Sequence, residues 1–140
     1  MGLQADIAAV RGDVPTHAQN FFIEFLAKHP ENNVHFPDYA GKSGAQLKAM
    51  PKFVAHTKKV VDQLLEIMEQ SGDAGKLKAN AGKVMNASPH ANLGASHFEG
   101  LFDTLIPFLQ KTLGGSCAAA EWQQAGAAFV AQLKAAGMKA

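Results

Sequence analysis

The chain has 140 residues, a formal net charge of +1 and no block of like charge, which argues against a surface built for nucleic acid or for an anionic membrane. Its one cysteine, Cys117, excludes an intrachain disulfide, and no apolar run approaches the roughly 20 residues of a membrane span. The first residues lack the basic and apolar pattern of a signal peptide, so we expect one cytoplasmic domain over residues 1–140.

The first two predicted helices are marked by apolar spacing and by residues that start a helix. Residues 3–10 predict a short helix, and a longer one follows it. Asp13 can cap the second helix, or Thr16 and Gln19 can form a capping box, and Pro15 is tolerated in the first turn. The apolar face of this helix is aromatic and is predicted to be mostly core; it consists of Ala18, Phe21, Phe22, Phe25 and Leu26.

The segment after the second helix is predicted to be a loop, yet it carries two large aromatic side chains. Phe36 and Tyr39 need a surface to pack on, because an aromatic side chain in a loop gains little from exposure to water. Ser43 and Gln46 then predict a capping box for a short helix that reaches about Met50.

The central predicted helix contains the sequence FVAHTKKVVDQLLEI, residues 53–67, and Pro51 opens it as a first-turn proline. Its apolar stripe recurs at three-to-four spacing and consists of Phe53, Val60, Leu64 and Ile67. His56 lies in the same stripe and so points where the apolar residues point. It is either a core histidine with a hydrogen-bond partner or a functional group.

A fifth helix is predicted over residues 74–91, with weak propensity because it carries two glycines and two asparagines. Pro89 must distort its last turns, where His90 lies. This end is either a helix that frays into a loop or a device that delivers His90. His56 and His90 on two separate helices could face opposite sides of one flat ligand.

Two more helices complete the chain. Ser96 and Glu99 predict a capping box for a strongly apolar helix, and Ser116 predicts the cap of the last helix, which ends at Gly137. No stretch alternates with period two, so an all-α protein of seven or eight helices is expected, either a bundle or a globin-like packing. The sequence contains no CxxC, HExxH, GxSxG, GxGxxG or P-loop motif, and without CxxCH any haem would lack thioether links.

Three features give the chain a resemblance to globins over its whole length: Phe36 in a loop, His56 with Val60 four residues later, and His90 followed by Leu93, Phe98 and Leu101. Among globins it most resembles those of marine annelids, including the terebellid dehaloperoxidase group. The segments that carry this closer resemblance are DIAAVRGD, YAGKS, KFVAHTKKV, FEGLF and AAGMK.

The resemblance implies a globin fold whose helices pack around a pocket for noncovalent haem b. It implies that His90 is the proximal iron ligand, that its other ring nitrogen donates to a carbonyl near Val84, and that His56 is the distal histidine. Residues implied to contact the distal ligand are His56, Val60, Phe36, Phe22 and Tyr39. Residues implied to contact the haem are Phe25, Phe36, Lys59, Val60, Val84, Leu93, Phe98 and Leu101, with Lys59 near a propionate or simply solvated.

The remaining histidines are assigned by position alone. His35 and His97 are expected near the rim of the haem or at the surface. His17 and His29 are expected to be surface residues, as is common for histidine.

The resemblance implies reversible binding of dioxygen and other small haem ligands, in storage or transport. The alternative is a dehaloperoxidase-like enzyme that oxidises halophenols with hydrogen peroxide, in which His56 is catalytic and moves a proton between the peroxide oxygens. Val61 and His35 stand where the dehaloperoxidase has Phe and Tyr, which favours dioxygen binding. A helical interaction module without a cofactor is a third possibility, and it would leave His56 and Phe36 unexplained.

Overall fold

The computed structural model describes residues 2–30, 36–39, 41–86 and 94–138. Within these ranges the chain is all α-helical and no strand is present, which confirms the predicted fold class. The helices are α1 Leu3–Arg11, α2 Val14–Lys28, α3 Gly44–Lys48, α4 Pro51–Glu69, α5 Ala74–Asn86, α6 Ala95–Leu113 and α7 Ala119–Ala135, with a 3-10 turn at Gly114–Ser116. None of the helices described is long and apolar enough to cross a membrane.

Several helix ends lie where the sequence predicts them. Of the two predicted caps for α2, Asp13 is used: its Oδ1 accepts from the Thr16 N–H at 3.4 Å. The capping box of α3 is complete, because the Gln46 N–H donates to Ser43 Oγ at 3.2 Å and the Ser43 N–H donates to Gln46 Oε1 at 2.8 Å. Pro51 is the first residue of α4.

The C-terminal end of α7 is also as predicted. Gly137 has a φ of 107°, in the region that favours glycine. The Met138 N–H then donates to the Leu133 carbonyl at 3.0 Å and the Gly137 N–H donates to the Lys134 carbonyl at 3.0 Å. These two bonds form a Schellman motif and satisfy carbonyls that the helix itself leaves open.

Two predicted caps are wrong. Helix α6 begins at Ala95, so Ser96 is already inside it, and the Gly94 N–H donates to His97 Nδ1 at 2.9 Å. Ser116 lies in the 3-10 turn, and the N-cap residue of α7 is Ala118, whose N–H donates to a distant residue. Helix α5 is described to Asn86 only, and the predicted remainder, 87–91, lies outside the described residues.

The core lies between two groups of packed helices, and α6 contacts both of them. Helix α2 packs against α4 and α6, and α7 packs against α5 and α6. The aromatic stripe predicted on α2 is buried: the Phe21 ring stacks on Phe25 at 6.1 Å between centroids and lies 5.8 Å from Phe108 of α6. Where α6 and α7 meet, a β-carbon on Gly126 would lie 2.9 Å from the Phe102 ring, so the absence of a side chain there permits the close approach.

A buried carboxylate ties α1 to the start of α7. Asp6 is 3% exposed, and its Oδ2 accepts from the indole N–H of Trp122 at 2.9 Å and from the Ala118 N–H at 2.7 Å. Burial raises the pKa of the nearby Cys117 thiol, and the Asp6 carboxylate raises it further. Asp6 therefore binds the N-cap residue of α7 at the end where Ser116 was predicted to be the cap.

Candidate functional site

His56 lies where the apolar stripe of α4 passes from the core to a partly open edge. Phe53, one turn before it, and Thr57, next to it, are fully buried. His56 and Val60, one turn later, are only half-buried. The helix therefore places the imidazole at the boundary between the packed interior and space that a ligand could reach.

Aromatic side chains from three elements surround the His56 ring. Its centroid lies 5.7 Å from that of Phe22 on α2, 5.8 Å from that of Phe36 and 5.9 Å from that of Tyr39. Phe53 completes the group through edge contacts with Phe22 at 6.5 Å and with Tyr39 at 5.1 Å. We call these five residues the His56 cluster.

One hydrogen bond joins the loop to the imidazole. The Tyr39 hydroxyl oxygen lies 3.1 Å from His56 Nδ1. Tyr39 is only 4% exposed, and burial raises the pKa of its hydroxyl. The hydroxyl therefore stays protonated at physiological pH and remains available as a donor.

The two aromatic residues of the loop are held by backbone and ionic contacts as well as by their rings. The Tyr39 N–H donates to the Phe36 carbonyl at 2.9 Å, which closes a turn over 36–39. Between them, Asp38 forms an ion pair with Lys52 of α4, and this contact lowers the pKa of the Asp38 carboxyl. The Phe36 ring packs edge-on against Phe22 at 6.1 Å. The surface that the sequence requires for these loop aromatics is thus the junction of α2 and α4.

Phe25 connects the His56 cluster to α6 through a histidine. It is buried, and its ring lies 6.0 Å from Phe22 and 5.6 Å from His29. A β-carbon on Gly100 of α6 would lie 3.5 Å from the His29 ring. The prediction that His29 is a surface residue is confirmed only in part, because the residue is half-buried, its ring packs between Phe25 and the α6 backbone, and its Nε2 is buried.

The other described residues of the predicted haem contact lie on α4, α5 and α6. Val84 is buried on α5, while Lys59 is exposed on α4. Phe98 and Leu101 are half-buried on the first turns of α6, and the Phe98 ring lies edge-on to Phe129 at 6.4 Å. His90, Leu93 and His35 lie outside the described residues, so their assigned roles stay predictions.

Comparison with known proteins identifies the family. The globin family model matches residues 19–133, from α2 to the last turns of α7. The chain belongs to the globin family. It is 28% identical over 130 residues to a globin of Aplysia kurodai, across 93% of this chain and 89% of that one. A globin of Nerita albicilla is 25% identical over 128 residues, across 88% and 80%. Globin CTT-VIIB-4 of Chironomus thummi thummi is 32% identical over 104 residues, across 71% and 65%.

Family membership gives the cluster a context. Globins typically bind haem and, through it, small gases such as dioxygen. The matched range contains every residue of the His56 cluster, and it also contains His90. Two features of the site go beyond the sequence predictions, the Tyr39–His56 hydrogen bond and the packing of the half-buried His29 ring against Phe25. The presence of Tyr39 in a loop indicated that it packs on another element, but spacing along the chain does not reveal that His56 is its hydrogen-bond partner.

Proposed function

We propose that this globin binds haem b noncovalently and that its ferrous form binds dioxygen reversibly, in storage or transport. His90 would be the proximal ligand and His56 the distal histidine. The haem, when bound, supplies the iron to which dioxygen attaches. The protein's own contribution is then to hold the haem, to exclude water and to offer one hydrogen-bond donor in an apolar setting.

The observation that carries this proposal is the environment of His56. A half-buried imidazole faces an aromatic wall, and the Tyr39 hydroxyl oxygen lies 3.1 Å from its Nδ1 atom. A donor in such a setting interacts strongly with a ligand that carries partial negative charge, because little water competes. Bound dioxygen is polarised in this sense, so the bond would slow its release.

The burial pattern fits a flat apolar cofactor. Four of the residues implied to contact haem, Phe36, Val60, Phe98 and Leu101, are apolar yet only half-buried, and they pack against the core from its edge. A planar ligand that covered them would gain about 25 cal/mol for each Å² of apolar surface removed from water. Lys59 is exposed on the same helix as Val60, as a residue that pairs with a propionate would be.

The cofactor is tested on the purified protein. We expect a Soret band and one haem per chain, and we expect acid–ketone extraction to move the haem into the organic layer, because the sequence has no CxxCH motif. Haem that stays with the polypeptide would contradict noncovalent binding. A colourless protein that forms no Soret band on addition of haemin would contradict the proposal as a whole.

The assignment of the two histidines is tested by cavity substitution. His90→Gly should lose the protein ligand to iron, and free imidazole should restore the native absorption spectrum in part, because imidazole can replace the missing coordination bond. His56→Gly is the matched control and should show no such rescue. Rescue in His56→Gly and not in His90→Gly would mean that the two faces are reversed.

A dehaloperoxidase-like activity is the second candidate function. The observation in its favour is that Phe22, Phe36 and Tyr39, which the resemblance to that enzyme group assigns to the distal pocket, all contact the His56 ring. His56 would then move a proton between the oxygens of hydrogen peroxide. Steady-state turnover of trichlorophenol far above that of a vertebrate myoglobin, and lost in His56→Val, would make this the primary function. Turnover at the myoglobin level would leave dioxygen binding as the function.

A further inference from the structure

We propose that Tyr39 is a positioning residue that holds the neutral His56 ring in the tautomer with its proton on Nε2. The effect on dioxygen that we derive from this rests on the proposed function, but the tautomer itself does not. The inference starts from the contact between the Tyr39 hydroxyl oxygen and His56 Nδ1 at 3.1 Å.

The direction of this hydrogen bond follows from the chemistry of its two partners. A neutral imidazole carries one N–H and one nitrogen lone pair, and the bond made by one nitrogen determines which of them holds the proton. The phenol O–H is a stronger donor than its oxygen is an acceptor, and an imidazole lone pair is a strong acceptor. With Tyr39 4% exposed, its hydroxyl must donate to a protein group, and His56 Nδ1 is within reach. Nδ1 then carries the lone pair and Nε2 carries the proton.

Three contacts hold Tyr39 beside His56. The turn closed by the Tyr39 N–H and the Phe36 carbonyl at 2.9 Å fixes the backbone. The ion pair between the exposed side chains of Asp38 and Lys52 adds a weak contact between the turn and α4, the helix that carries His56. The Tyr39 ring then meets Phe53 of the same helix edge-on, with centroids 5.1 Å apart and planes at 88°. The 36–39 turn is therefore positioned against α4, and the Tyr39 hydroxyl lies next to His56 before any ligand binds.

The tautomer decides what the ring offers to a ligand. With the proton on Nε2, that nitrogen is a donor and can stabilise a ligand with partial negative charge. With the proton on Nδ1, the same nitrogen would present a lone pair and repel that ligand. Tyr39 thus acts on dioxygen through the His56 ring.

The direct test reads the ring nitrogens. The protein is labelled with ¹⁵N at histidine and studied in the carbon-monoxide-treated ferrous form. Long-range ¹H–¹⁵N correlation spectra then distinguish protonated from unprotonated ring nitrogens. The signals that disappear in His56→Val are those of His56. We expect the Nε2–H form in the wild type. In Tyr39→Phe, which keeps the ring and removes the hydroxyl, we expect the ratio of the Nδ1–H to the Nε2–H form to rise by about threefold to tenfold, as one neutral hydrogen bond permits.

Tyr39→Leu separates the hydroxyl from the packing of the ring. We expect Tyr39→Leu and Tyr39→Phe to change the tautomer ratio by the same factor, because both lack the donor. A wild type protonated on Nδ1 would overturn the proposal. So would a Tyr39→Phe spectrum identical to the wild type, with a change in Tyr39→Leu alone, because the role of Tyr39 would then be packing.

The functional consequence is measured as the dioxygen off-rate by stopped flow. Tyr39→Phe should release dioxygen about twofold to tenfold faster than the wild type. In a His56→Val background the same substitution should add nothing, since the hydroxyl acts only through the imidazole. An equal increase in both backgrounds would overturn the inference. If the ferrous protein retains no dioxygen, the proposed function fails, while the nitrogen spectrum, which needs no dioxygen, still decides the tautomer.

Discussion

Asp6 is the residue whose contribution to stability can be worked out most fully. Asp6→Ala removes the acceptor of two hydrogen bonds, from the Trp122 indole at 2.9 Å and from the Ala118 N–H at 2.7 Å. Trp122 is fully buried, so water cannot replace its lost partner, whereas Ala118 is half-buried and can regain water in part. A buried donor left without a partner costs about 1–3 kcal/mol, and relief of the buried carboxylate offsets some of this. We therefore expect the free energy of unfolding to fall by about 2–4 kcal/mol.

The assay is urea unfolding of both proteins in the same haem and ligand state, because a bound ligand adds its own stability. The melting temperature should fall by about 5–15 °C in parallel. Asp6→Asn is the matched control: its amide oxygen can accept both bonds without the charge, so its loss should be clearly smaller. An Asp6→Ala protein within about 0.5 kcal/mol of the wild type, or an Asp6→Asn protein as unstable as Asp6→Ala, would refute this account of the link between α1 and α7.

Three further predictions concern the loop tyrosine, a glycine of α7 and a glycine of α5. Burial raises the pKa of the Tyr39 hydroxyl above its ordinary value of 10.0, while the charge of Lys52 lowers this pKa and that of Asp38 raises it. The hydroxyl therefore donates to His56 throughout neutral pH. It stops donating as the pH rises through the raised pKa, because the hydroxyl then loses its proton. The dioxygen off-rate of the wild type, followed by alkaline pH-jump stopped flow, should therefore stay level up to about pH 10 and increase above it, whereas a Tyr39→Phe protein should lack this alkaline increase. Gly126→Ala should lower the unfolding free energy by about 1–3 kcal/mol, because its β-carbon would lie 2.9 Å from an aromatic ring of α6. Gly82→Ala, inside α5 with no described atom within 4 Å of the added carbon, should instead raise it by about 0.5–1 kcal/mol, and denaturant unfolding of the two variants measures both changes.

Local chemistry was enough to predict most of the helices and the face of α4 that carries His56. The caps at Asp13 and Ser43 depend on residues three positions apart, so the sequence contains all of the information that forms them. The α7 cap at Ser116 was predicted by the same rule and is wrong, because Asp6 satisfies the Ala118 N–H from 112 positions away. A tertiary hydrogen bond of that kind leaves no periodic trace in the sequence.

In the candidate site, too, the local features were predictable from the sequence and the tertiary contacts were not. The stripe of α4 identified His56 as unusual, and the loop aromatics required a partner surface, which proves to be the junction of α2 and α4. The bond between Tyr39 and His56 joins a loop to a helix 17 positions later and depends on the orientation of two rings. The packing of the His29 ring likewise depends on how closely the end of α2 approaches α6 at Gly100. Neither orientation nor helix approach follows from spacing along one chain.

The dioxygen off-rate of His56→Val tests the central claim most directly. The ferrous protein is mixed with dioxygen and then with an excess of carbon monoxide, and the exchange is followed by stopped-flow absorbance in the wild type and the variant. A hydrogen bond from His56 to a ligand with partial charge contributes about 1.5–3 kcal/mol, so the account predicts reversible binding in the wild type and an off-rate higher by roughly tenfold or more in His56→Val. Equal off-rates in the two proteins, or a ferrous wild type that does not hold dioxygen, would contradict it.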